Sequence, residues 1–300
     1  MMRSLVLLFL LSAIVACRPV KTIEQIQIKG SDSEVAVVMA LAESFMHHEH
    51  RISVSVKGGG SGSGIAALLN GKTDIANSSR DMSDKEHEMA KARSIRPVPV
   101  VFAEDVLVFI LHPSLKIKAL TLDQIAGIYR GEIQNWKEVG GPDRMISLYG
   151  RQSNSGTYVY LREKVLKAEY SPKVKGMNGT AQIVEAVKQD VGGIGYVSLG
   201  YVQHNNKPTA GISVVSLGLG EGVSPLDRAA VTGGLYPLKR PLYHFLNGPA
   251  RGALASFLRF ERSEKGQAII RESGYIPVEG PLAIAPGADV VPKAQPVHGK

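Results

Sequence analysis

The chain has 300 residues, 44% apolar and 21% charged, which is enough ordinary globular material for one large or two medium domains with real cores. A net charge of +8 suits an anionic ligand or an acidic surface, but there is no block of Lys/Arg and no interleaved aromatic platform, so nucleic-acid binding is not indicated. The single cysteine, Cys17, excludes an internal disulfide.

Met1-Met2-Arg3 is a short positive segment, and Leu5 to Leu11 is an apolar run of signal-peptide length, too short to span a bilayer. Ile14-Val15-Ala16-Cys17 then looks like a bacterial lipobox. Residues 1–16 are therefore expected to be a lipoprotein signal peptide, Cys17 the lipidated N-terminus and residues 17–24 a tether. The mature protein is expected in the periplasm or at the cell surface, held to the membrane by lipid.

Ile23 to Ile28 alternates apolar and polar residues, a strand pattern, and runs into Gly30-Ser31-Asp32-Ser33-Glu34, where Ser31 and Glu34 have capping-box spacing. A helix is expected next, with Val35, Val38, Met39, Ala42, Phe45 and Met46 on one face. It ends in His47, His48 and His50, read as a solvated helix end because adjacent histidines diverge and no carboxylate spacing supports a metal. The strand Ile52 to Val56 leads to Gly58-Gly59-Gly60-Ser61-Gly62-Ser63-Gly64 and the apolar run Ile65 to Leu69. Five glycines in seven residues, two hydroxyls and a helix start favour an anion cradle built without lysine. It is not a Walker A loop, because Ala66 stands where the first glycine is needed before Gly71-Lys72-Thr73. Ser63 likewise breaks a G-x-G-x-x-G fingerprint, and no G-x-S-x-G elbow is present.

Thr73 to Arg80 reads as a short strand ending in Asn77-Ser78-Ser79-Arg80. Pro97 to Phe102 and Val106 to Leu111 read as two strands separated by Ala103-Glu104-Asp105. Met145 to Tyr149 delivers Gly150-Arg151-Gln152-Ser153-Asn154-Ser155-Gly156-Thr157 before another helix. Arginine offers a rigid fork of donors suited to a tetrahedral oxyanion. From Val278 the chain is rich in Pro, Gly and Ala and reads as a disordered tail over 278–300. Alternating strands and helices indicate an α/β fold with mostly parallel sheets, whose ligands bind beyond the carboxyl ends of strands, where these polar turns fall.

The order of these turns resembles the phosphate-binding proteins of bacterial phosphate ABC transporters. The resemblance rests on Gly30-Ser31-Asp32-Ser33, Gly59 to Ile65, Asp74 to Arg80 and Arg151-x-x-x-Ser155-Gly156-Thr157. Gly131-x-Ile133-x-Asn135-Trp136, Gly193-Ile194-Gly195-Tyr196 and Tyr236-Pro237-Leu238-x-Arg240-Pro241-Leu242-Tyr243 add to it, over residues 25 to 277. It implies a two-lobed, type II periplasmic-binding-protein-like α/β fold with a hinge of two crossing strands, near Ala103 to Val106 and Tyr196 to Gln203. Lobe one would be 25–104 with 203–277, and lobe two 105–202.

Carried over residue by residue, the resemblance implies phosphate contacts from Asp32, Ser33, Ser61, Ser79, Arg151, Ser155, Gly156 and Thr157, with Ser31 and Arg80 at the margin of the set. Some members carry a carboxylate where Ser79 stands, to accept the proton of bound phosphate. Here Asp32, where other members have threonine, is either that acceptor or a plain helix cap. The expected partners are inorganic phosphate, an ABC permease and the membrane, with a monomeric protein and no cofactor, metal or nucleic acid. No nucleophile is paired with a base, so an enzyme is not indicated. The alternative is a sensing or surface-adhesion lipoprotein using the same fold.

Overall fold

The computed structural model describes residues 23–204 and 207–278. The expected signal peptide, Cys17, most of the tether and the tail after Val278 lie outside the described residues. Val278 itself is held in place: its N–H donates to Gln267 Oε1 at 3.1 Å and its carbonyl accepts from Arg262 Nη1 at 2.7 Å.

The chain alternates strand and helix from the start: β1 (Glu24–Gly30), α1 (Val35–Met46), β2 (Ile52–Lys57), α2 (Ser61–Leu69), β3 (Ile75–Ser78), α3 (Asp84–Ala92) and then the long β4 (Pro97–Leu111). Further on come α4 (Leu122–Arg130), β5 (Ser147–Arg151), α5 (Gly156–Leu161), β6 (Lys175–Met177), α6 (Thr180–Gln189) and β7 (Gly193–Ser198). The chain closes with β8 (Lys239–Asn247), α7 (Gly252–Arg262) and α8 (Glu264–Glu272). The strands run in the order β2-β1-β3-β8-β4-β7-β5-β6. β1 is parallel to β2 and β3, β5 is parallel to β6 and β7, and β4 and β8 are antiparallel to their neighbours.

Each half of this ladder carries its own core, hence two lobes, and the first core is divided between the two faces of the sheet. Ile28, Leu41, Phe45, Phe102, Leu242 and Phe257 pack on one face of the first half of the sheet, and Ile65, Leu68, Ala76 and Phe245 on the other. The second core gathers Phe109, Ile128, Tyr129, Trp136 and Tyr196. On α1 the buried stripe is Val37, Val38, Leu41, Ala42 and Phe45, whereas Met39, expected inside, is 52% exposed. The helix is turned so that Val37 and Leu41 meet the sheet.

The structure corrects the break expected within β4 and the place of the return crossing. Ala103-Glu104-Asp105 does not interrupt the strand: β4 runs through it, pairing with β8 from Pro97 to Val106 and with β7 from Leu107 to Leu111. Charge at Asp105 is tolerated inside the strand because Arg240, its partner across the β8 ladder, meets it. The return crossing lies later than Tyr196 to Gln203. Val202, Val215, Leu217, Val231, Tyr236 and Leu238 are all buried in the second core, so the chain rejoins the first lobe only at β8.

Candidate oxyanion site between the lobes

Parallel strands place their carboxyl ends on one edge, so the loops after β1, β2 and β3 meet there. Ser31 N–H donates to the Asn77 carbonyl at 3.0 Å, and Gly60 N–H donates to the Gly30 carbonyl at 2.9 Å, which locks the three loops together. Their hydroxyls then cluster. Ser31 Oγ donates to Ser79 Oγ at 3.1 Å, Ser61 Oγ lies 3.5 Å from Ser79 Oγ, and Ser79 N–H donates to Ser61 Oγ at 3.2 Å. Gly60 caps α2 at φ +90°, and a Cβ there would lie 2.9 Å from the Asn154 carbonyl oxygen of the opposite lobe. Only glycine fits both demands.

The facing jaw is built by β5 and α5. Arg151 ends β5 and is 3% exposed. Its Nη1 donates to Thr180 Oγ1 and its Nη2 to the Asn178 carbonyl, both at 3.0 Å. Nη2 also pairs across the cleft with Asp32 Oδ2, while Asp32 Oδ1 accepts from Gly59 N–H at 3.1 Å. Ser33 Oγ and Thr157 Oγ1 meet across the cleft at 2.8 Å. Gly62 N–H donates to the Asn154 carbonyl at 2.9 Å, and Asn154 Nδ2 donates back to the Gly59 carbonyl at 3.0 Å. Ser155, buried, is the N-cap of α5 without a side-chain cap bond. Gly156 lies against Ser61 and Ser79.

The result is a buried assembly of hydroxyls and guanidinium N–H groups, set at the starts of α2 and α5. Hydroxyls can donate or accept, guanidinium can only donate, and such a set complements an oxyanion.

Comparison with known proteins agrees. The sequence profile of the PBP superfamily domain matches residues 19–265. The phosphate-binding protein PstS of Pseudomonas aeruginosa is 31% identical over 237 residues, covering 72% of this chain and 72% of its own length. The chain belongs to the PstS family. PstS of Borreliella burgdorferi is likewise 31% identical, over 225 residues, covering 72% of this chain and 76% of its own. Among solved structures, a Clostridium perfringens protein with bound phosphate, assigned as a phosphate ABC transporter substrate-binding protein, superposes with a TM-score of 0.76. It is 31% identical, and the match covers 85% of this chain and 100% of that one. An ABC-type phosphate transport receptor from Vibrio cholerae gives 0.66 at 26% identity, over 84% and 99% of the two chains.

In this PstS-family chain the sequence reading missed two residues of the assembly. Arg240, 2% exposed, stands at the lobe crossing and donates from Nη2 to Thr157 Oγ1 at 3.0 Å and Ser33 Oγ at 3.3 Å. Asp105 Oδ2 holds it, accepting from Nε at 3.0 Å and Nη2 at 2.8 Å, and also from Ser198 Oγ at 2.8 Å. The available signal was an arginine inside the apolar strand Leu238 to Leu246, a place where charge is kept only if paired.

Two expectations at the rim change. Arg80 does not join the hydroxyls: its guanidinium donates to both Glu86 carboxylate oxygens at 2.7 and 2.8 Å and to the Asp81 carbonyl at 2.7 Å. The Ser31–Glu34 capping box does not form either. Glu34 is the N-cap of α1 and makes no side-chain cap bond, and Asp32 is turned into the cleft instead of capping the helix. Tyr201, whose hydroxyl donates to the Asp32 carbonyl at 2.6 Å, is pushed up to about 12 by burial, with the Asp32 charge adding to it, and so stays a donor.

Beyond the cleft, His47, His48 and His50 are exposed, and His48 Nδ1 lies 2.8 Å from its own helix carbonyl at Ser44. Among the described residues no group of three or more His, Cys, Asp or Glu is placed to hold a metal ion, and no helix is long and apolar enough to cross a membrane.

Proposed function

We propose that this PstS-family protein captures inorganic phosphate between its lobes and hands it to an ABC importer, without chemistry of its own. The observation that carries the reading is the meeting of Ser33 and Thr157 across the cleft beneath one buried arginine, Arg240. Hydroxyls of Ser31, Ser33, Ser61, Ser79 and Thr157, the Gly156 N–H, Ser155 at the helix start and the Arg151 guanidinium supply donors from both lobes. Asp32 accepts the proton that phosphate carries at neutral pH. Fully ionised sulfate would set an oxygen against that carboxylate with no hydrogen between them, a buried mismatch that is costly.

Calorimetric titration of refolded, ligand-stripped protein with phosphate, sulfate and molybdate tests this. Phosphate is expected to bind most tightly. Arg151→Ala should lose about 1.5–3 kcal/mol or more, the range for one hydrogen bond to a charged group. Asp32→Asn should keep the fold and lose the preference for phosphate over sulfate. Equal binding of sulfate by the native protein would change the ligand class, and no oxyanion binding would leave a sensing or adhesion role.

The importer partnership follows the relatives' names, and the lipid anchor rests on the sequence around Cys17. The protein acts in the periplasm or at the cell surface as a tethered monomer. Cys17→Ser is expected to move it from the membrane fraction to the soluble fraction.

A further inference from the structure

Glu34, the residue after Ser33, is fully buried at the start of α1. Neither of its carboxyl oxygens has a hydrogen-bonding partner among the described residues. An ionised carboxylate is disfavoured in such a place, because burial strips more hydration than the nearby Ser31 hydroxyl and Arg240 charge give back. Burial pushes this carboxyl well above the usual range. The Ser31 hydroxyl and Arg240 pull it back, and the charges of Asp105 and Glu261 push it up again.

The surroundings show what an extra charge would do. Arg151 pairs with Asp32 and Arg240 with Asp105, so the two guanidinium charges of the cleft are already balanced by two carboxylates. From α7, Glu261 Oε1 lies 3.0 Å from His244 Nε2 on β8, and His244 Nδ1 lies 2.8 Å from Asn77 Oδ1 on β3. Tyr201 and Tyr275 present hydroxyls to the carbonyls of Asp32 and Ser33, at 2.6 and 2.5 Å. Ionised Glu34 would add one uncompensated negative charge beside the hydroxyls that receive the ligand.

We propose that Glu34 sets the charge of this site: it stays a neutral acid so that a dianion enters a balanced cleft, and loss of its proton weakens the site at alkaline pH. This rests on the phosphate-receptor reading. Where Glu34 would otherwise be ionised, binding draws one proton from solvent onto its carboxyl oxygen. Its role is to position charge; it is not itself a ligand.

The test is calorimetric titration of the refolded protein and its Glu34→Gln variant with inorganic phosphate from about pH 6 to about pH 10, in buffers of different ionisation heat. The second ionisation of phosphate affects both proteins alike, so their difference isolates Glu34. Above the pH at which Glu34 loses its proton, the native protein is expected to fall behind the variant by about tenfold per pH unit and to take up a proton that the variant does not. Melting curves give a second readout. A carboxyl raised on folding opposes folding increasingly as pH climbs above the ordinary carboxylate range, so Glu34→Gln should be the more stable protein at alkaline pH, with the gap closing toward about pH 4. If the glutamine variant fails to fold, Glu34→Met, equally without a titrating group, supplies the same comparison of proton uptake. Parallel affinity profiles, or no excess uptake, overturn the proposal. If the native protein binds no phosphate at any pH, the receptor reading falls first and takes this one with it.

Discussion

Arg240→Ala is expected to abolish phosphate binding and to lower the stability of the ligand-free protein by about 3–5 kcal/mol, the range for breaking one side of a buried ion pair. Asp105 is 1% exposed, and after the substitution its Oδ2 would retain only Ser198 Oγ as a donor. The charge would then be buried at the strand crossing with no counter-ion. Binding fails for a separate reason. The same Nη2 that satisfies Asp105 reaches Ser33 in one lobe and Thr157 in the other, so the variant removes the only cation that touches both jaws at their hydroxyls among the described residues. A double variant, Arg240→Met with Asp105→Leu, separates the two effects. Replacing the whole pair by apolar groups should recover most of the stability, because no charge remains uncompensated. It should recover none of the binding. Urea denaturation and phosphate titration of the three proteins complete the cycle, and recovered binding in the double variant would remove Arg240 from the site.

Arg240 also shows where sequence reasoning stops. The turns carrying Ser31, Ser33, Ser61, Ser79, Ser155 and Thr157 were legible because each is a local pattern: a strand, a few small polar residues, then a helix or a strand end. Strand order brings them to one edge without further information. The Asp105–Arg240 pair spans 135 residues, and no local pattern announces it. The same blindness produced the false break at Ala103-Glu104-Asp105, since charge in an apolar run reads as a loop until its partner is known. Arg80 and Arg151 look alike locally, each an arginine at a strand end. They part because Ser83 and Glu86 form a capping box whose carboxylate captures Arg80, whereas Arg151 faces Asp32 from another lobe. The lobe boundary failed for a related reason. Between Gln203 and Leu238 the described residues form only short elements, and nothing in the spacing of Val215, Leu217 or Val231 tells which of two cores receives them.

Gly156→Ala is expected to bind phosphate about a hundredfold more weakly while leaving the ligand-free protein as stable as before, the reverse of a folding defect. Gly156 opens α5 without a positive φ, so alanine suits its backbone, and a helical position generally favours alanine over glycine by about 0.5–1 kcal/mol. The added Cβ is harmful only where the lobes meet. It would come within 2.7 Å of Ser79 Oγ and closer still to Ser61 Oγ. Turning the Ser61 hydroxyl away does not relieve this, because Ser61 Cβ is 3.1 Å from the same point and the hydroxyl is held by Ser79 N–H. The lobes must therefore stand apart by a fraction of an ångström to an ångström. That displaces Ser33 from Thr157, whose 2.8 Å contact joins a hydroxyl of each lobe across the cleft. An oxyanion between them can then be grasped fully from one side only. Calorimetry gives the affinity, a thermal melt without ligand gives the stability, and X-ray scattering with phosphate should report a wider envelope than the native protein. Native affinity in this variant would mean that the jaws do not need the contact seen at Gly156, and the site would have to be sought with the lobes further apart.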